Sequence, residues 1–309
     1  MTTEKKSYAS SFRAMVAAFI AAEDDLFGSG RVWRPSNDQQ ERFLAEVYPS
    51  HYAEAGKITE VDRITAWSAD PINQRLKEWG MDIKLEPFGP DTFGFAARMK
   101  IALRWFQEGR EVPLVSQDGS LVLDPAGRPY QAAHIEGGYT QKGPAVAFRT
   151  SKRHGEPIAT LLTKTDDLVH ITKFDEDLDA FDLLARSKEI LADAKPIRDF
   201  GGVVFPFTNL DVQPDVKWLL GMKTTTATMG EAEMVQAVQQ FKLQMNHKGV
   251  VVQDAFAGAA VLECMVMTKP DLCIDGSYLF VLERPGMSQP VCAAVVRPES
   301  FADPGDLGL

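Results

Sequence analysis

Cysteine is scarce in this chain of 309 residues: three in all, Cys264, Cys273 and Cys292, every one in the last fifth of the sequence. An odd number without C-x-x-C spacing argues against a disulfide framework and against a thiolate zinc site. Histidine is nearly as thin, with five residues, His51, His134, His154, His170 and His247, at no metal-ligand spacing. They are expected to be surface residues or hydrogen-bonded strand residues, and no metal or other cofactor is implied. There is no glycine-rich phosphate loop, no G-x-S-x-G and no H-E-x-x-H. No residue is therefore assigned a catalytic role, and the sequence makes no case of its own for an enzyme. Basic charge is short too: 33 Lys and Arg face 43 Asp and Glu, a net charge of −10. A general grip on nucleic acid or on an anionic membrane needs clustered cations to displace counterions, so neither partner is expected. No apolar run reaches bilayer-spanning length, and no N-x-S/T sequon occurs. "AMVAAFIAA" near the start looks like the core of a secretory signal, but Arg13 interrupts the run, and Phe12, Val16, Phe19, Glu23 and Leu26 fall near helical spacing. An amphipathic first helix and a cytoplasmic location are the expectation.

What is present is ordinary globular material, 45% hydrophobic and 25% charged. Residues 7 to 27 read as the first helix, stopped by the glycines at 28 and 30. "PSNDQQERFLAEVYPSHYAEAG" reads as one second helix with Asn37 and Asp38 at its start, Pro49 being the place where a break would fall. "ITEVDRITAWSADPINQRLKEWG" carries Ile64, Trp67, Ile72, Leu76 and Trp79 near turn spacing and reads as a third, with a kink or a break at Pro71. "DTFGFAARMKIALRW" is apolar at nearly every step, which fits a buried strand and a helix equally. Beyond it, "PAVAFRTS", "PIATLLTK" and "DLVHITKF" are short β-branched pieces divided by Gly, Pro and Asp, the pattern of strands and turns. A helix is expected at about 179 to 194, then further strands in "GVVFPFTNLDV", "VQAVQQFKLQMN", "SYLFVLERP" and "PVCAAVVRP". Helices first and strands after, with no repeat and no linker, predict one α+β domain over 1–309.

"NHKGVVVQDAFAGAAVLECMVMTKPD", residues 246 to 271, fits that scheme badly. It is rich enough in β-formers for a core strand, yet long, and it carries Asp254 where a core strand tolerates no charge. Its neighbours explain it. "VVFPFTNLDVQPDVKWLLGM" at 203–222, "VQQFKLQMNHKG" ending at Gly249, and the closing "SYLFVLERPGMSQPVCAAVVRP" at 277–298 resemble, in this order, the C-terminal third of the serpins, a family of protease inhibitors. Residues 64 to 105, with Asp91, Thr92, Arg104 and Trp105, are similar to a helix and a central sheet strand of actinobacterial serpins. Several helices that full-length serpins place after the first are lacking. The resemblance implies an abbreviated, bacterial, serpin-like α+β fold with N-terminal helices, large mixed sheets and a C-terminal loop of the reactive-centre type.

In that family the loop is cut by the target protease and inserts into the main sheet as an extra strand, dragging the acylated enzyme with it. A strand turns alternate side chains to opposite faces. Counting from Gly249, the resemblance assigns Val250, Val252, Asp254, Phe256 and Gly258 to the inward face. Family spacing places a cleavable bond at Glu263-Cys264; a local likeness to a Met-Ser loop places it at Met267-Thr268. The loop residues Gly249, Val250, Val252, Asp254, Phe256, Glu263, Cys264, Met267 and Thr268 are thus the candidate binding site. Burying an unpaired Asp254 costs several kcal/mol, and Phe256 overpacks a channel shaped for small side chains by about 1–3 kcal/mol. His247 and Lys248 also replace the family's usual acidic pair. These departures favour a non-inhibitory protein, impaired in insertion, that binds a protein or a ligand. A suicide inhibitor of serine or cysteine proteases is the alternative. A third reading is a scaffold recruited for small-molecule binding or a biosynthetic reaction, with a cleft lined by some of Trp33, Trp67, Trp79, Trp105 and Trp218 where helices are missing.

Overall fold

The structure is a computed structural model that describes residues 5–26, 33–89, 92–140, 143–226, 230–250 and 269–309. Its centre is a 7-stranded antiparallel sheet in the order β1 (Tyr8–Ser10), β22 (Cys292–Val296), β21 (Tyr278–Glu283), β12 (Leu168–Lys173), β11 (Pro157–Leu162), β10 (Val146–Thr150) and β13 (Lys195–Ile197). Strands β21 and β22 are buried on both faces, which is why "YLFVL" and "CAAVV" show no polar alternation. Large residues on one strand oppose small ones on the other, Phe280 against Ala294 and Val281 against Ala293. One face, with Phe280, Leu282 and Val296, packs on Trp105, Phe205 and Leu243. The opposite face, with Leu279, Val281 and Val295, packs on α1 (Arg13–Leu26) and α5 (Ala180–Ala192) through Val16, Phe19, Phe181 and Ile190, with Phe12 just before α1.

A 4-stranded sheet runs β20 (Leu272–Cys273), β14 (Gly202–Pro206), β7 (Gln131–Glu136) and β6 (Arg110–Pro113). A second 4-stranded sheet runs β15 (Thr208–Val212), β18 (Phe241–Met245), β19 (Gly249–Val250) and β5 (Leu103–Arg104). Smaller units are β17 (Gly230–Glu233), β16 (Lys223–Thr226) and β2 (Trp33–Arg34) in one sheet, β3 (Val61–Ala66) with β4 (Gly94–Met99), and β8 (Tyr139–Thr140) with β9 (Gly143–Pro144). The remaining α-helices are α2 (Asp38–Arg42), α3 (Tyr48–Ala53) and α4 (Ala69–Glu78), so the helical part of the described chain is small, as the abbreviated fold implies. No helix among the described residues is long and apolar enough to cross a membrane.

Two local expectations change and a third point is decided. The first helix is shorter than predicted: Tyr8–Ser10 pairs with β22, because closing that edge and burying Ala9 outweigh helix propensity, and α1 begins at Arg13. The third predicted helix is half strand. Val61–Ala66, with its β-branched Val61, Ile64 and Thr65, pairs along β4, and only Ala69–Glu78 is helical, with Pro71 in the first turn where its missing N–H costs nothing. The second helix does not break at Pro49. A π-helical stretch, Phe43–Val47, joins α2 to α3, and the wider turn keeps the carbonyl of residue 45 clear of the proline ring. Asn37 caps the start, its side chain accepting from the Gln40 amide at 3.0 Å. The ambiguous run after residue 92 resolves into strands β4 and β5. Gly94 opens β4 because α4 lies directly on it: a Cβ there would meet Ile72 at 2.5 Å and Phe88 at 2.8 Å.

Candidate functional site

Strand β19 is the first part of the predicted loop, and it stands between two other strands. Gly249 and Val250 pair with Arg104 and Leu103 of β5 on one side, and Val250 pairs with Met245 of β18 on the other. The turn before it is tightly determined. Asn246 accepts the Lys248 amide on its side chain at 2.9 Å, and its carbonyl accepts from the Trp105 indole at 2.9 Å. The His247 ring stacks on Phe207 at 5.6 Å, and its carbonyl accepts from the Gly109 amide at 2.8 Å. Gly249 has no room for a side chain, since a Cβ would sit on the Leu103 carbonyl and 2.8 Å from the Arg104 Cα. The turn from Asn246 to Gly249 thus leads directly into β19, and His247 is a packing residue.

Beneath this bridge the sheet parts. Among the described residues β4 pairs only with β3, and residues 234–240, of which 235–240 were expected from the sequence to be strand, form none. Three glutamines hold that segment by side chains instead. Gln239 donates to the Ser11 carbonyl at 2.7 Å. Gln240 accepts from the Asp82 amide at 2.7 Å and donates to Asp211 at 2.7 Å. Gln236 accepts from the Glu86 amide at 2.8 Å and donates to its carbonyl at 3.1 Å. Between β4 and this segment lies a cleft of about 870 Å3. Its floor is α1, through Ala14, Met15 and Ala18, with Phe280 and Leu282 of the central sheet; Val250 closes the head. Trp67, Trp79, Phe88 and Phe93 line the other end. Trp67 packs edge-on against Phe93 at 4.9 Å, and the Arg98 guanidinium lies over Trp79 at 5.4 Å while it pairs with Asp62.

Two features mark the cleft off from a packing defect. Three of the six exposed large hydrophobics among the described residues, Trp67, Val235 and Val238, line it, being 45%, 59% and 45% exposed. Ser11 and Thr224 border it as well, and their hydroxyl oxygens, buried away from the open space, have no hydrogen-bond partner among the described residues. Of the five tryptophans, Trp33, Trp67 and Trp79 line the cleft, while Trp105 is buried in one core and the half-buried Trp218 packs against the other. The glutamines and the two hydroxyls were missed from sequence. A run of three glutamines in an expected core strand was the available signal for the first; nothing marked Ser11 or Thr224.

Of the predicted loop residues, the structure brings Gly249 and Val250 to the head of the cleft. Val252, Asp254, Phe256, Glu263, Cys264, Met267 and Thr268 lie outside the described residues. The chain resumes at Lys269 and enters β20, which pairs parallel to the edge of β14 at Val203–Leu272 and Val204–Cys273. Gln117 spans β20, donating to the Asp271 carbonyl at 3.0 Å and accepting from the Cys273 amide at 3.1 Å. His134, buried in β7, accepts from Arg110 Nε at 2.8 Å on Nδ1, which leaves Nε2 to face the Asp271 carboxylate at 3.0 Å. His170 is held in the same manner, between Thr160 and Glu283 at 2.9 Å each. Burial, with Asp271 and Asp275 nearby, raises the Cys273 thiol pKa, and burial pushes Cys292 up to about 12. Neither is a nucleophile at neutral pH.

No family model and no curated protein matches the chain. Solved structures do. Thyroxine-binding globulin in complex with thyroxine matches with a TM-score of 0.56 at 10% identity, covering 94% of this chain and 92% of that one. Serpin48 of the insect Tenebrio molitor, described as a highly specific serpin, matches at 0.51 and 11% identity, covering 95% and 92%. Uncleaved ovalbumin matches at 0.55 and 10%, covering 94% and 92%. The likeness extends over nearly the whole of each chain. The chain has the serpin fold.

Proposed function

We propose that this serpin-fold protein acts by binding, and that its loop does not complete insertion as a strand. The observation that carries this reading is the register of β19. Val250 is inward and buried between Leu103 and Met245. Continued down the cleft with the two-residue period of a strand, that register would set position 252 between Ile101 and Leu243, 254 between Met99 and Phe241, and 256 between Ala97 and Gln239. Valine suits the first of these. The second offers a carboxylate two apolar side chains and no cation, so Asp254 must enter protonated or not at all. The third places an aromatic ring above Ser11, where Gln239 already spans to the helix. Insertion is therefore expected to stop at about residue 252.

A serpin that traps its protease must insert the whole strand faster than the acyl bond is hydrolysed. The test is incubation with trypsin, elastase and papain in turn. The expected result is simple cleavage between residues 250 and 269, with no SDS-stable complex and no rise in melting temperature of the nicked protein. An SDS-stable covalent complex with any of the three would refute the reading and establish the protein as an inhibitor.

A further inference from the structure

We infer that residues 80–88 form a strap across the cleft that ties its two banks together and lifts as one piece, so that the strap controls access to the split in the sheet. The stretch "GMDIKLEPF" has the two-residue period of a strand. Met81, Ile83 and Leu85 line the cleft, while Asp82, Lys84 and Glu86 are exposed to solvent. Yet among the described residues no β-ladder reaches this stretch, and side chains from the two banks take its place.

One edge of the strap is held from the β4 bank. The Gly80 and Met81 amides close the last turn of α4 on the Lys77 and Leu76 carbonyls at 2.9 Å each, and Gly80 takes a φ of +72° that reverses the chain. The strap then runs back beside α4, where Asn73 accepts from the Leu85 amide and donates to the Leu85 carbonyl, both at 2.8 Å. α4 itself lies on β4, through Ile72 against Gly94. The other edge is held from the opposite bank. Lys242 donates to the Gly80 carbonyl at 3.0 Å, and Gln240 accepts from the Asp82 amide at 2.7 Å. Gln236 accepts from the Glu86 amide at 2.8 Å and donates to its carbonyl at 3.1 Å. As the strap advances from 80 to 82 to 86, its partner recedes from 242 to 240 to 236, the register of an antiparallel pair. Even-numbered residues thus turn their backbone to one bank and Leu85 turns to the other, as a strand between two neighbours does.

This arrangement makes the strap a single unit. The bonds of Leu85 to one bank lie between those of Asp82 and Glu86 to the other, so no residue can leave its bank without carrying its neighbours off theirs. A displacement of about 1 Å takes bonds of this length past hydrogen-bonding reach. No residue from 80 to 88 is buried, which puts the strap at the low-stability end of the fold. When it lifts, Met81, Ile83 and Leu85 leave the wall of the cleft and the banks lose their tie.

The experiment measures residue-resolved amide exchange at Asp82, Leu85 and Glu86 in the full chain, with the rate of tryptic cleavage at Lys84–Leu85 read by mass spectrometry. The Lys84 side chain is 72% exposed, yet the bond should be cut slowly, because a protease needs the extended backbone that Asn73 and Gln236 engage. Asn73→Ala removes partners of Leu85 alone. Exchange at Asp82 and Glu86, which are bonded to the opposite bank, should nevertheless rise together with that at Leu85, by about fivefold to a hundredfold, the range of two net hydrogen bonds. Cleavage at Lys84–Leu85 should quicken by the same factor. Gln236→Ala should do the same from the other bank, freeing Leu85 as well as Glu86. Exchange at Val281 in β21 should stay unchanged in both variants. Effects confined to Leu85 in the first variant and to Glu86 in the second would show two independent contacts and overturn the proposal. An equal rise at Val281 would show that the strap opens only with the whole fold, and would overturn it too. Neither variant touches residues 249–268, so the account of the loop is tested separately.

Discussion

Replacing Asp254 by Thr and Phe256 by Ala together should turn a loop that stalls into one that inserts. The neighbours at each position give the size of the effect. Between Met99 and Phe241 a carboxylate has no partner, so it enters as the neutral acid. Holding an Asp of ordinary pKa near 3.9 protonated at pH 7 costs about 4 kcal/mol. The ring at 256, between Ala97 and Gln239, adds about 1–3 kcal/mol of overpacking. Removing both therefore relieves roughly 5–7 kcal/mol. In domains of about 150–250 residues 1 kcal/mol moves the melting temperature by about 2–4 °C. The nicked double variant should thus melt at least 10 °C above its intact form, as an order of magnitude, whereas the nicked parent should match its intact form within about 2 °C. Calorimetry of intact and nicked samples at pH 7 and at pH 4 is the assay. At pH 4 the parent's Asp is half neutral in water, so nicking should begin to stabilise it there, while the double variant should gain equally at both values. A nicked parent that gains as much as the variant at pH 7 would refute the reasoning.

Two further outcomes are expected. His51 is buried, and its pKa is pulled from 6.5 to about 4, first by burial and then by the Arg13 guanidinium, although its hydrogen bond to the Val47 carbonyl opposes this. The folded protein keeps His51 neutral while the unfolded chain takes up a proton below pH 6.5, so its share of stability is intact above that value and is lost as pH falls towards 4. The loss is about 3 kcal/mol. His51→Gln should flatten urea-unfolding stability between pH 7 and 4 by that order; an unchanged slope would contradict it. Gly249→Ala forces a methyl group onto the Leu103 carbonyl. About 1–3 kcal/mol of stability should be lost, with faster amide exchange at Val250 and Leu103 and none at β21; protection retained at Val250 would show that the bridge tolerates a side chain.

The serpin fold was legible because it is written in order. The run 203–222, the turn at Asn246–Gly249 and the closing pair of strands each carry a modest pattern, and the structure puts them in β14 and β15, the bridge beside Trp105, and β21 with β22. Residues 8–10 and 61–66 misled because their conformation is decided by partners far along the chain, Ala293–Val295 and Gly94–Met99, which no local period reveals. The cleft was half legible. Its tryptophans could be named but not sorted, since Trp67 and Trp105 look alike in a sequence and differ only in what surrounds them. The opening itself depends on residues 234–240 leaving the ladder, and this follows from side-chain bonds to Asp82, Glu86, Asp211 and Ser11 that are set by tertiary structure.

The two ends of the loop are tied down in mechanically different ways. At Gly249 and Val250 the chain is gripped from both sides, and slack can leave only if two flanking strands separate together. At Leu272 and Cys273 it is fastened along one edge, by two ladder pairs, the clasp of Gln117 and the contact of Asp271 with His134. Tension applied to the loop would load the first attachment as a wedge and the second as a seam that peels one contact at a time. Under force the distal end is the one that yields first.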